Sequence, residues 1–427
     1  MIEYIPYIII FFFTGYIWYG LFLLAQNALL KLKDNITLAF AGKAMTRNDD
    51  LEKYLLKRFP YYDRLPDPLK VKFLLRVKNF IRNKQFEGRE GLEVTDEIKS
   101  WVAASAIQLT FGLSKYSLDH FSKIIVYPAA FYNRQNDAMH MGETNTHGII
   151  VLSWKDLQEG FRKATDNFNV GLHEMAHALE LQLLLKEDYD SFFGNYYPKF
   201  SLIAEEEFEN IENERSSFLR NYAGANRHEF FAVCIEYFFE SGAEFRKRLP
   251  EIYYHLCVLL NQDPLHEDGH LEEPERRTQE ELASEITSLV PLFIPKNSIV
   301  RITVHTVYFL FLFSLLVVQG FKGTPELLYI SLLVAVIALL LIYFRMNKII
   351  LYEKYLVIKN PSNKFATIYE LNDIVAVNLT SNRSGDAIEI LGARHGKIIR
   401  RRHSYLAKGS DMNILLQKLR EKKIVVR

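Results

Sequence analysis

Three apolar runs stand out from an otherwise mixed chain. Residues 4–30 contain no charged side chain, and within them IPYIIIFFFTGYIWYGLFLLA matches the roughly 20 apolar residues that a bilayer-crossing helix needs. The short head carries Glu3 instead of a basic residue, and no small-x-small site precedes Lys31, so the pattern predicts an uncleaved anchor over residues 1–30 rather than a removed leader. Runs at 302–319 and 327–344, separated by the turn QGFKGTPE, predict a transmembrane hairpin over 302–344. Lys31 and Lys33 follow the first run, Lys296 and Arg301 precede the second, and Arg345 and Lys348 follow the third. Because basic flanks stay on the cytoplasmic side, the expectation is a multi-pass protein of the inner membrane with its intervening region and tail in the cytoplasm.

Between the first two runs the periodicity is mostly helical. In PDPLKVKFLLRVKNFIRNKQF, the residues Leu69, Phe73, Val77, Phe80 and Ile81 share one face and basic residues occupy the other. Two short β-branched runs, KIIVYPAAF at 123–131 and HGIIVLSW at 147–154, predict a small sheet, with Met139, His140 and Met141 read as loop between them. Helical periodicity resumes in FNVGLHEMAHALELQLLL, NRHEFFAVCIEYFFES and FRKRLPEIYYHLCVLL. Residues 45–265 are therefore expected to form one mainly α unit with a small sheet, an α+β arrangement. The stretch 266–300 opens with HEDGHLEEPERRTQEELASE, whose composition predicts an acidic, solvated linker. Residues 349–427 read as strands closed by the helix DMNILLQKLREKK, an order that resembles a small pleckstrin-homology-like barrel in pattern alone.

At 427 residues, 49% hydrophobic and 14% aromatic, the chain is long enough for two or three packed units. Lys and Arg total 52 against 51 for Asp and Glu, which gives no ground for direct nucleic-acid binding. The two cysteines, Cys234 and Cys257, sit in apolar helical patterns and are expected to be buried thiols, not a disulfide. In the tail, Arg394, Lys397, Arg400, Arg401, Arg402 and Lys408 form a basic cluster. It suits either an anionic lipid surface or a solvated strand edge.

The candidate chemistry lies on the central helical run. His173 and His177 are spaced i, i+4, so both imidazoles project from one helix face and can share a metal, while Glu174 beside them is placed to take a proton from the attacking water. A second His-Glu-x-x-His, at His266, Glu267 and His270, follows Pro264, includes Gly269 and lies in the acidic stretch, where nothing holds both rings on one face. A third ligand must come from elsewhere. Glu180 and Leu183 occupy the positions where metzincins carry glycine and histidine, so a carboxylate on a later helix is needed. Glu205, Glu206, Glu207, Glu209, Glu212, Glu214, Glu229 and Glu236 are the candidates, and Glu229 begins a markedly apolar helix where an unpaired carboxylate is costly. Glu180 is read either as a hydrogen-bond partner of a ligand imidazole or as an exposed helix carboxylate, and His228 as lying on a different helix face from the ligands.

The segments IIVYPAAF, GIIVLSW, GLHEMAHALE and YAGANRHEFFAVCIEYFF, in that order, resemble the Mlc titration factor A family of zinc peptidases over about residues 50–265. That family is similar to lethal-factor-type proteases in placing a tyrosine seven residues before the ligand glutamate, an interval that Tyr222 and Glu229 reproduce. The resemblance implies a zincin-like, gluzincin-type site: one zinc ion on His173, His177 and Glu229, Glu174 as general base, and Tyr222 donating its hydroxyl to the developing oxyanion. It implies a peptide or protein substrate. It also implies a second possibility, a membrane-tethered protein that sequesters a cytoplasmic transcriptional regulator. The apolar runs depart from the family's pattern and add the lipid membrane as a partner.

Overall fold

The computed structural model describes residues 49–295, 314 and 347–427, apart from 134–136, 164, 186–190, 214–216, 267–276, 360–365, 383–384, 395–396, 406 and 408. The three apolar runs lie outside the described residues, Ser314 excepted, and so does most of the second His-Glu-x-x-His. Among the described residues, no helix is long and apolar enough to cross a membrane. The fold is mixed α/β, with a mainly helical core, small sheets and a β-rich C-terminal region. Contacts divide the chain into two units.

The first unit holds the described residues up to Gln108 together with those of Asp119–Lys163 and Asn169–Gly171. Its helices are α1 (Asp49–Arg58), α2 (Pro60–Arg64), α3 (Asp67–Arg82) and most of α4 (Asp96–Thr110). On α3 the buried residues are Phe73, Leu74, Val77 and Phe80, close to the predicted stripe. Strands β1 (Gln85–Gly88), β2 (Lys123–Tyr127), β5 (Gly142–Asn145) and β6 (Ile149–Ser153) form one sheet in the order β1-β2-β6-β5. The first three are parallel to one another and β5 is antiparallel to β6. Met139 and His140, expected in a loop, instead belong to a hairpin of β3 (Phe131–Asn133) and β4 (Ala138–His140). Asp137, at φ 53°, precedes β4 in the left-handed conformation of a tight turn, and runs this short carry too little alternation to be read from sequence. Helix α5 (Trp154–Arg162) follows, started by the Ser153 side chain accepting from Asp156 N at 3.3 Å.

Helix α6 (Val170–Leu185) passes from this unit into the second. Near its start Gly171 lies close to side chains of α4 and α5: an added Cβ would be 2.5 Å from Leu157 Cδ1 and 2.7 Å from Ser105 Oγ, so both would have to shift to admit one.

In the second unit, α7 (Ser191–Glu212), α8 (Arg227–Glu240), α9 (Gly242–Arg248) and α10 (Pro250–Leu260) pack through aromatic side chains. The ring of Phe231 on α8 lies 6.5, 5.4 and 5.8 Å from those of Phe193, Tyr197 and Phe200 on α7. Cys234 and Cys257 are both buried single thiols. His255 on α10 is also buried and accepts a hydrogen bond from the Tyr196 hydroxyl at Nδ1, 2.6 Å. Burial, helped by the Lys199 charge, pushes its pKa down to about 3. The unfolded chain takes up this proton near 6.5, the folded one only near 3, so stability falls as pH drops through that window, by at most a few kcal/mol. Urea unfolding of His255→Gln is expected to show a shallower loss of stability between pH 6.5 and 4 than the parent chain; identical slopes would remove His255 as its source.

The C-terminal region contains a three-stranded antiparallel sheet of β7 (Lys348–Leu351), β8 (Tyr355–Lys359) and β9 (Ala366–Glu370). A second sheet, ordered β12-β11-β10-β13, is built from β10 (Ile374–Asn382), β11 (Gly385–Arg394), β12 (Lys397–Ser404) and β13 (Val425–Val426). Leu356 and Ile358 from the first, Val377 and Ile388 from the second, and Leu415 and Leu419 of helix α12 (Gly409–Glu421) share one core. Strand β12 is the sheet edge, with Arg400, Arg401 and Arg402 exposed on it. Lys199 of α7 is buried and donates to the carbonyls of Asn372 and, at 2.7 Å, Ile374, which joins this region to the helical one.

The stretch expected to be a solvated linker contains a packed helix among its described residues. Residues Gln279–Ile286 form helix α11, started by a capping box between Thr278 and Glu281, and Leu282 and Ile286 are buried against Ile350, Tyr355, Val357 and Ile368. Further on, Phe293 bridges to Leu351 of β7. An i, i+4 apolar pair among many charges was enough to seat a helix, although the composition alone argues for solvent.

Candidate metal centre

On α6 the rings of His173 and His177 lie with centroids 4.7 Å apart and their Nε2 atoms at 3.1 Å. The third group comes from the start of α8. Asn226 is its N-cap, and its side-chain oxygen accepts from the backbone of His228 at 2.9 Å and Glu229 at 3.0 Å. That cap fixes Glu229 in the first turn, where the helix dipole favours a carboxylate. Glu229 Oε2 then lies 3.0 Å from His173 Nε2 and 3.5 Å from His177 Nε2.

These three residues are the metal-binding constellation found among the described residues, with donor atoms within 4.8 Å of one another. A tetrahedral zinc with bonds near 2.0–2.2 Å places neighbouring ligand atoms about 3.3 Å apart, which the observed separations straddle. Glu229 Oε2 is buried and has no hydrogen-bond partner, although two imidazole nitrogens face it. A desolvated carboxylate oxygen left this way is costly, and a cation between the three donors removes the cost. The residues present therefore fit a divalent metal.

The local charge balance agrees. Burial works against protonating His173, but the carboxylates of Glu229 and Glu236 on either side of the ring and the charge of Glu174 outweigh that and raise its pKa to about 10. Burial likewise opposes ionising Glu229, yet His173 and His177 hold it well below the usual carboxylate range. The cluster is built to contain positive charge.

Of the other carboxylate candidates, Glu236 also meets His173, but on its far side. It lies two turns beyond Glu229 on α8, is 1% exposed, and its Oε1 is 2.7 Å from His173 Nδ1. Arg220 bonds both its oxygens, Nη1 reaching Oε2 at 3.2 Å, and also donates to the Asn167 carbonyl. Glu205 pairs with Arg227, and Glu207 accepts from Ser217. Glu214 lies outside the described residues. Glu180 is neither exposed nor bound to a ligand imidazole: it is buried, accepts from the Tyr197 hydroxyl, and pairs with His228 Nδ1 at 2.8 Å. His228 is thereby turned away from the cluster, as its helix position predicts.

Tyr222 lies in a 3-10 turn, Asn221–Gly224, with its ring centroid 6.1 Å from that of His173. It is 52% exposed. Partial burial, then the charge and hydrogen bond of Glu229 and the charge of Glu174, push its hydroxyl up to about 12, so it keeps its proton. Glu174 is buried on α6 beside the first histidine. The Arg220–Glu236 pair escaped sequence reading; its one signal was the seven-residue interval that puts Glu236 on the same face of α8 as Glu229.

A helix carrying His-Glu-x-x-His that faces a glutamate on a second helix is a candidate metal site of the kind a metallopeptidase needs. The chain matches the glucose-regulated metallo-peptidase M90 family over residues 39–259 and belongs to it. It is similar to an uncharacterized protein of Synechocystis sp., 28% identical over 229 residues, which are 49% of this chain and 82% of that protein. It is also similar to the Mlc titration factor A of Yersinia pestis, 26% identical over 231 residues, 48% of this chain and 82% of the relative.

Proposed function

We propose that the chain is a zinc-dependent peptidase held at the inner face of a membrane by its apolar runs, and that it hydrolyses peptide bonds. The observation that carries this reading is the buried, unpartnered Glu229 Oε2 opposite the Nε2 atoms of His173 and His177. These three residues would hold one zinc ion, which when bound supplies Lewis-acid polarisation of the scissile carbonyl and lowers the pKa of water. Glu174, one residue from a ligand, accepts the proton of the attacking water and passes it to the departing amine. Tyr222, protonated and half open to solvent, donates its hydroxyl to the oxygen on which negative charge develops. Metal analysis of the detergent-purified full chain, joined to peptide-library cleavage with and without chelator, tests the reading. About one zinc per chain and chelator-sensitive cleavage are expected; cleavage that survives complete zinc removal would overturn it.

The name of the Yersinia relatives, Mlc titration factor A, favours a second reading, a membrane-tethered binder of a transcriptional regulator. Here Glu174→Gln protein, immobilised as the full chain, should retain a DNA-binding regulator from cytoplasmic extract. Recovery of none leaves only the peptidase.

A further inference from the structure

We infer that Arg220 and Glu236 are positioning residues that act as one unit, with Arg220 setting both the metal-binding form of His173 and the place of Tyr222. The inference rests on the metal-centre reading above and deepens it. An imidazole presents a lone pair at Nε2 only when its proton is on Nδ1. In this chain Nδ1 of His173 faces Glu236 Oε1 at 2.7 Å, while Nε2 faces the side of the ring where Glu229 and His177 converge. Glu236 therefore selects the tautomer and fixes the ring plane, in the way that carboxylates behind metal-bound histidines do.

Glu236 is almost wholly buried, and an isolated charge there is costly. Arg220 supplies the opposing charge through contacts to both carboxylate oxygens. It has a third contact, to the carbonyl of Asn167, just ahead of α6, so the guanidinium ties the entry of the ligand helix to the middle of α8.

Arg220 is also the residue from which the turn Asn221–Gly224 starts. Its guanidinium carbon lies 5.2 Å from the ring centre of Phe168 and 6.0 Å from that of Tyr222. Each separation suits a cation over an aromatic face. One side chain thus reaches the carboxylate behind His173 and the ring of Tyr222 from a single anchored position. Glu236 instead meets the imidazole of His173 itself.

The difference gives the test. Zinc affinity is measured on the detergent-purified full chain by competition with a chromophoric chelator, and steady-state peptide hydrolysis is measured at saturating zinc. Glu236→Gln, which keeps the side chain's shape, and Arg220→Ala are each expected to weaken zinc binding about 10- to 100-fold, with Arg220→Lys between Arg220→Ala and the parent. Because the two act through one contact, the double variant should bind zinc no more weakly than the worse single variant. At saturating zinc, Arg220→Ala should keep a deficit in kcat, with KM little changed, that Glu236→Gln lacks. Thermal melts identify the folded variants, and Arg220→Lys carries the comparison if Arg220→Ala does not fold. Unchanged zinc affinity in folded Glu236→Gln, or additive losses in the double variant, would overturn the shared unit. Equal kcat deficits in the Arg220 and Glu236 variants would overturn the link to Tyr222. A parent chain that binds no zinc at all would instead reject the metal-centre reading itself.

Discussion

Replacing Glu174 by glutamine is expected to cut peptide hydrolysis by about 10²–10⁴-fold, the range contributed by a positioned general base, while zinc stays in place. The substitution keeps the size of a buried side chain on α6 and leaves His173, His177 and Glu229 untouched. The ability to accept a proton is lost, together with the charge that acts on His173 and Tyr222. Zinc content and turnover measured on the same preparation separate the two effects. Full activity with zinc retained would remove Glu174 from the chemistry, whereas loss of zinc would mean that its charge also holds the metal.

The second large effect is expected at Tyr222. Tyr222→Phe removes one hydroxyl from a half-exposed ring and is expected to lower kcat by about 10²–10³-fold, the cost of deleting one donor to a developing oxyanion, with a smaller change in KM. A tyrosine hydroxyl ordinarily titrates near 10, and partial burial raises this one further, so the parent keeps this proton over most of the range in which a peptidase is assayed. The deficit should therefore be the same at pH 6 and pH 9. A deficit that closed at high pH would show a titrating group in its place, and a rise in KM alone would make Tyr222 a substrate contact only.

How much of this site was legible depended on how local each part is. His173, Glu174 and His177 lie within one helical turn and a half, so their spacing sufficed. Glu229 stood among eight glutamates, and its selection needed the resemblance to a known family; in the fold, Asn226 explains it by starting α8 there. Glu236 was one of the same eight, but its bond to the far nitrogen of His173 depends on how α6 and α8 face each other, which no interval states. Arg220 joins residues 53 and 16 positions away in the chain, and that is invisible to pattern. Glu180 shows the opposite failure. It sits one turn past His177, yet its partners come from α7 and α8, and they turn it from the ligands.

The same logic applies to the fold. The stripe on α3 was readable because four core positions repeat at helical spacing. Strands β3 and β4, three residues each, fell below that threshold. Helix α11 was hidden by composition: its first turn carries Glu280 and Glu281, and only Leu282 and Ile286 face the sheet.

The bridge between Phe293 and β7 has a further implication. Chain enters the three-stranded sheet beside Leu351 and, after residues 296–346, resumes at Asn347, which bridges to Tyr405 before β7 begins. In topological terms, the C-terminal module is one body threaded by two separated pieces of sequence, and 296–346 is an insertion within it, not a spacer ahead of it. An insertion whose ends are both pinned to the host can be exchanged at modest entropic cost.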